Sequence, residues 1–260
     1  MISRLFADRR RLAILRRIDR PAAALLAVAQ AMVAAVSWFV EPAGLSVAGA
    51  VAGQLLIGGV VAVRVLGPAR SGLGLARYAI PATAGIAATL FGRLIPGGLS
   101  VLLVPIVAVL LWSVTYLELR IERGTGGRTI GNLLLIGILF SGAAGILDLF
   151  EPQAWPTPLI LVVLLTLPLA VRAADARGDM GAEGLGQSLL HVLVVCQVGA
   201  GVILLELPLT VMAALVALAF YAWSGAVEAL RGDASGRSVA VEFGGLLVLG
   251  LLVGLILHRP

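Results

Sequence analysis

Asp175 and Asp179 are the residues in this chain best suited to chemistry, with Arg172 and Arg177 beside them. They belong to the charged run Val171-Arg172-Ala173-Ala174-Asp175-Ala176-Arg177-Gly178-Asp179, which lies between two apolar stretches of membrane-spanning length. An i, i+4 spacing puts both carboxylates on one face of a helix. Hard oxygen ligands of this kind suit Mg²⁺, which usually takes one or two protein carboxylates plus substrate phosphates. Arg172 and Arg177 could add charge-assisted hydrogen bonds to phosphate oxygens. The plainer alternative is an ordinary solvated loop, self-paired by its own arginines.

The elements that must position this run are set by composition. The chain has 260 residues, 60% of them apolar and 13% charged, with a mean hydropathy of +1.06. Soluble domains are closer to half apolar and a quarter charged, so the expectation is an all-α polytopic membrane protein. Lipid leaves no partner for unpaired backbone groups, which restricts spanning structures to helices or a closed barrel. The apolar runs are continuous rather than alternating, which selects helices. Spans of roughly 20 residues fall at about 21–40, 44–63, 76–95, 98–119, 130–150, 156–173, 186–204, 207–229 and 239–258. Residues 1–20, rich in Arg, read as a basic amphipathic helix on the membrane surface, and 21–260 as one transmembrane domain.

Charge assigns the sides. Arg64, Arg70 and Arg77, then Arg120, Arg123 and Arg128, then Arg172 and Arg177, then Arg231 and Arg237 fall on the side of the N-terminus. The opposite turns carry Glu41, Asp148, Glu151 and Glu206, with Arg93 and Arg259 as exceptions. The positive-inside rule then makes the protein a multi-pass protein of the plasma (inner) membrane, its N-terminus cytoplasmic and its C-terminus outside. It also explains the basic pI without nucleic acid. The absence of Lys excludes Schiff-base chemistry, and the lone Cys196 excludes an intrachain disulfide.

Two fragments recur about 110 residues apart. Ala62-Val63-Arg64 returns as Ala170-Val171-Arg172, and Trp112-Ser113 with Leu119-Arg120 returns as Trp223-Ser224 with Leu230-Arg231. The expectation is a parallel internal repeat of four helices.

Several short matches, in order, resemble the UbiA superfamily of intramembrane prenyltransferases. Arg17-Ile18-Asp19-Arg20-Pro21 resembles that family's opening motif, and Gly67-Pro68-Ala69-Arg70-Ser71-Gly72 the segment after its first aspartate motif. Tyr116-Leu117-Glu118-Leu119-Arg120 is similar to its Tyr-x-x-x-Lys, and Arg128-Thr129-Ile130-Gly131-Asn132 has the look of the run that follows. Asp175-x-x-x-Asp179, then Gly184 and Ser188-Leu189, is similar to the second aspartate motif and its tail. The resemblance implies a nine-span bundle with a cavity open to the bilayer and its polar end at the cytoplasmic loops. It implies that Asp175 and Asp179 hold Mg²⁺ against an isoprenoid diphosphate. It further implies that Arg70, Arg120, Tyr116, Arg172 and Arg177 contact the diphosphate or orient the acceptor. The family's first aspartate motif has no counterpart: Ala52 to Val61 holds no carboxylate, only Gln54.

Three functions stay open on these residues. The first is a divergent UbiA-like protein that binds or transfers an isoprenoid. The second is a non-catalytic lipid- or pigment-binding scaffold, or an accessory subunit with protein partners in a membrane complex; the missing motif favours it. The third is a small-solute transporter, for which duplication is a common sign. His191, alone within its span, is either a haem or proton-transfer residue or a histidine hydrogen-bonded inside the bundle.

Overall fold

The computed structural model describes residues 2–66, 75–122, 128–150, 155–179 and 181–257, and every regular element among them is helical. Helix α1 runs Ile2–Phe39 without interruption, joining the basic segment to the first span. Then follow α2 (Ala43–Leu66), α3 (Leu75–Gly92), α4 (Gly97–Glu122) and α5 (Arg128–Leu149). The remainder are α6 (Thr157–Arg177), α7 (Gly181–Leu204), α8 (Leu209–Arg231) and α9 (Gly236–Ile256). Within α2, Leu55–Val61 is π-helical.

Eight of these helices are long and apolar enough to cross a membrane; α3 falls outside that set. The reason lies in what surrounds it. Helix α3 packs against α1, α2, α4, α5 and α6, and nearly all its described side chains are buried or half-buried. A helix that meets protein over most of its surface has little need of a lipid-compatible face. It can therefore carry Arg77, Pro81, Thr83 and Thr89 among small residues. At the other extreme, only 11% of the apolar window of α9 is buried, and it lies against α8. In the first half α1 packs on α2 and α4, and α3 on its sequence neighbours; in the second half α5 packs on α6 and α8, and α7 on its own neighbours.

Two amides tie α1, α2 and α3 together in the interior. Gln30 Nε2 donates to Gln54 Oε1 at 3.1 Å and to the Pro81 carbonyl at 2.8 Å. Gln54 Nε2 donates to the Gln30 carbonyl at 2.9 Å and to Thr89 Oγ1 at 3.3 Å. Trp38 Nε1 donates to the Thr89 carbonyl at 3.1 Å. Side-chain hydrogen bonds between membrane helices contribute about 0.6 kcal/mol each on average, so the group acts mainly by fixing register. Glycine makes the approach possible. A Cβ at Gly58 would lie 2.6 Å from Ala82 Cα, and one at Gly85 would strike the Gln54 amide. At the opposite end from Arg77, Arg172, Arg177 and Arg231, Arg93 pairs with Glu41 at 2.9 Å. One of the two basic residues that broke the charge pattern is thus joined to an acid of a neighbouring turn.

Gly58 and Gly59 are adjacent but differ in surroundings, since an added Cβ at Gly59 meets nothing within 4 Å. Gly58→Ala is expected to destabilise the fold by roughly 1–3 kcal/mol through overpacking. Gly59→Ala is expected to be neutral, or to stabilise by up to about 1 kcal/mol through helix propensity. Thermal unfolding of the two variants in the same detergent checks the contrast.

Candidate functional site

The end of α6 is built by Gly178. Its φ of 87° is left-handed, a conformation that costs glycine little. Gly178 N–H donates to the Asp175 carbonyl at 3.0 Å and Asp179 N–H to the Ala174 carbonyl at 3.1 Å, closing the last turn in the manner of a Schellman cap. This corrects the expectation that Asp175 and Asp179 share a helical face. Asp175 is inside α6, whereas Asp179 lies past the left-handed residue and is turned toward the end of α8.

Each carboxylate is held by arginine. Arg172 Nε reaches both oxygens of Glu118 on α4, at 2.9 and 3.1 Å, and Nη2 adds a contact at 2.9 Å. Arg172 Nη1 reaches Asp175 Oδ2 at 3.1 Å. All three side chains are at most 10% exposed, so one guanidinium bridges two carboxylates out of water. Arg77 on α3 stands within electrostatic reach of Glu118. Its guanidinium also donates to the Leu66 carbonyl. On the other side, Asp179 is bonded by Arg177 at 3.3 Å and by Arg231 of α8. The network therefore connects α3, α4, α6 and α8 at the arginine-rich end of the bundle.

The self-pairing of the plainer reading is present at Arg172–Asp175 and Arg177–Asp179, but the run is largely buried rather than solvated, and Glu118 and Arg231 join it from other helices. Mg²⁺ demands several oxygen ligands at near-octahedral positions. Here the carboxylate oxygens of Asp175 and Asp179 face guanidinium groups, and among the described residues no group of three or more His, Cys, Asp or Glu side chains gathers. In this arrangement each of the two carboxylates is bonded to arginine. Tyr116 stacks on Trp112, ring centroids 5.2 Å apart and nearly parallel, and Arg120 is exposed. Arg70 lies outside the described residues. Gln54, the sole polar side chain where the first aspartate motif was sought, is engaged with α1 and α3 and not with the α6 turn. Sequence reasoning passed over Glu118, Arg77 and Arg231. The available signal was a single Glu near the end of an apolar span with arginines on the same side.

His191 is fully buried. Its Nε2 lies 3.0 Å from the Phe220 carbonyl on α8, and the two rings are in contact at 4.1 Å between centroids. A carbonyl only accepts, so Nε2 carries the ring hydrogen. This is the histidine hydrogen-bonded inside the bundle.

A separate feature is an apolar groove of about 1250 Å³ between α2, α3, α5 and α6. Val51, Leu55, Ile86, Leu149, Leu161 and Leu165 are typical of its walls. It follows α2 from Ala43 to Val63, about 30 Å at the helical rise of 1.5 Å per residue, close to the thickness of a bilayer's hydrocarbon core. Leu55, Val60 and Leu164 on its rim are exposed, so it opens sideways along the bundle. Asp175, Asp179, Arg172, Arg177, Tyr116 and Arg120 are not among the residues that line it.

The features define a class: an all-α protein of membrane-spanning helices, with an apolar flank groove and an arginine–carboxylate latch at one end. No protein-family model matches the chain, and neither a curated protein nor a solved structure matches it.

Removing one partner of a buried ion pair leaves an uncompensated charge, at a cost of roughly 3–5 kcal/mol. Glu118→Gln is therefore expected to cost about 3 kcal/mol, and Asp175→Asn less, because Arg172 keeps its fork on Glu118. Denaturant titrations of both variants in one detergent test the ranking, and equal losses would contradict it.

Proposed function

We propose that the chain is a divergent UbiA-like protein of the plasma membrane that binds an isoprenoid lipid and no longer transfers prenyl groups. The groove carries the reading. Its volume of about 1250 Å³ exceeds the roughly 300–1,000 Å³ of ordinary small-molecule sites, and its walls suit a long hydrocarbon chain lying along α2. The absent first aspartate motif and the arginine-bound state of Asp175 and Asp179 favour binding over transfer. A prenyltransferase needs concentrated positive charge at the departing pyrophosphate. Here Arg172 and Arg177 are committed to carboxylates of the same chain.

In this reading the helix count is nine, with α3 as the enclosed span, and the arginine-rich end faces the cytoplasm. A parallel four-helix duplication is supported by the shared packing of α1 on α2 and α4 and of α5 on α6 and α8, although α1 also packs closely on α3 and α5 does not pack likewise on α7. Transport is disfavoured by the interior amides, since Gln30 and Gln54 are spent on each other and on helix carbonyls.

The test is photolabelling in nanodiscs with a benzophenone-bearing geranylgeranyl chain. Labels are expected on α2 and α3 peptides, unchanged by EDTA. Gly59 lines the groove and faces open space, so Gly59→Trp should cut labelling about tenfold with the fold intact. Labelling that requires Mg²⁺, with release of pyrophosphate on adding an acceptor, would restore the transferase.

A further inference from the structure

Charge is spread unevenly along the chain. Its 19 arginines and 14 acidic residues give a net charge of +5. Residues 1–20 hold seven of those arginines, between Arg4 and Arg20, and only two acids, Asp8 and Asp19, which is a net +5 by itself. Residues 21–260 hold the remaining 12 arginines and 12 acids and are neutral in sum. Within that part, Arg172 is answered by Glu118 and Asp175, Arg177 and Arg231 by Asp179, and Arg93 by Glu41. The unbalanced charge of the chain therefore lies on the first half of α1.

Helix α1 carries this charge directly into the bundle. It is continuous from Ile2 to Phe39, and its apolar, span-like part begins at Pro21. Ala23 and Leu26, just past Pro21, are buried together with Ala62 and Leu66 of α2 and Leu119 of α4. The entry of α1 is therefore at the arginine-rich end, where Glu118 meets Arg172. Arg64 of α2, between Ala62 and Leu66, is exposed at this end. Arg16, Arg17 and Arg20 lie within five residues of Pro21, about 7.5 Å along the axis at the helical rise of 1.5 Å per residue. The polar layer on each face of a bilayer is roughly 5–7 Å deep. With the span in hydrocarbon, these three arginines fall at or beside the lipid phosphates. For a helix that keeps the direction of its span, Arg4 to Arg11 lie about 15 Å or more beyond Pro21, past the screening length of about 8 Å at physiological salt.

We infer that the entry of α1 into the bundle is a binding surface for anionic lipid headgroups, with Arg16, Arg17 and Arg20 as its main contacts and Arg64 beside them. The surface is independent of the groove and of what occupies it. The test uses the full chain in nanodiscs of phosphatidylcholine with a minor fraction of phosphatidylglycerol. A fluorophore at Ala13→Cys, in a Cys196→Ser background, is quenched by either lipid carrying a spin label near its headgroup. Phosphatidylglycerol is expected to be enriched about fivefold over phosphatidylcholine around the probe at low salt, the gain of roughly one well-placed arginine or more at an anionic surface. The enrichment should largely disappear near 1 M salt, where the screening length is about 3 Å. Replacing Arg16, Arg17 and Arg20 together by Gln should abolish it, whereas replacing the same three by Lys should retain it. Replacing Arg4, Arg9, Arg10 and Arg11 by Gln should leave most of it. Equal quenching by the two lipids in the labelled parent overturns the inference, as does enrichment that survives high salt. Equal loss in the Gln and Lys variants overturns the role of charge in favour of a structural one. Loss on neutralising the outer four instead of the inner three directs the charge at an acidic partner away from the membrane and overturns the lipid surface.

Discussion

Hydrocarbon offers a buried polar group no partner, so a polar side chain inside the bundle is stabilised by bonding another part of the chain; Trp223 Nε1 and Ser224 Oγ are buried without such a bond. The contacts of the interior follow from that constraint. Gln54 meets Gln30 and Thr89, His191 meets a carbonyl of α8, and Thr166 and Ser188 turn back onto their own helices. At the arginine-rich end the same demand operates on full charges. Arg172 is planar and presents its donors as a fork, which lets it satisfy Glu118 and Asp175 together. A lysine, with a compact point charge, could not make the same bridge.

Helix α3 shows how this constraint shapes sequence. It is the least membrane-like of the helices because it is the most enclosed. Small residues let α2 and α5 come close to it, and its threonines supply hydrogen bonds that lipid could not. The enclosure has a second effect. Ala82 and Ile86 present one side of α3 to the groove, while Gly85 lies against the Gln54 amide on another side. The helix therefore serves as groove wall and as register for α1 and α2 at once. Displacing it would disturb both.

Much of this was legible in the sequence, and the failures have physical causes. The expected spans match the helices to within a few residues over most of the chain, because continuous apolar runs of membrane length have few alternative folds. The interior positions Gln54 and His191 were recognisable as polar residues in apolar runs, but their partners lie 24 and 29 residues away. Spacing carries no information about such pairs. The reading of Asp175 and Asp179 as one face failed at Gly178, where a left-handed residue ends the helix between them. Gly-Asp after a helical run is a signal for that ending. Partner choice was the hardest part: Arg172 could equally have met phosphate or Glu118, and only the approach of α4 to α6 decides it. The groove had no sequence signature, since its walls use the same residues as lipid-facing surface.

Separation of charge from groove is the feature that most limits what this protein can do. Ionising an allylic diphosphate requires the reacting bond to sit where positive charge is concentrated and water is excluded. In this bundle the groove and the guanidinium groups of Arg77, Arg172, Arg177 and Arg231 occupy different places. Arg172, Arg177 and Arg231 neutralise Glu118, Asp175 and Asp179 and do not line the groove. A two-sided clamp of the kind the resemblance implies would need α2 to supply carboxylates where Ile57, Gly58 and Gly59 stand. At Gly58 the backbone of Ala82 leaves no room for a side chain. The close crossing of α2 and α3 and a metal-binding α2 are therefore competing solutions for the same few residues, and this chain has taken the packed one.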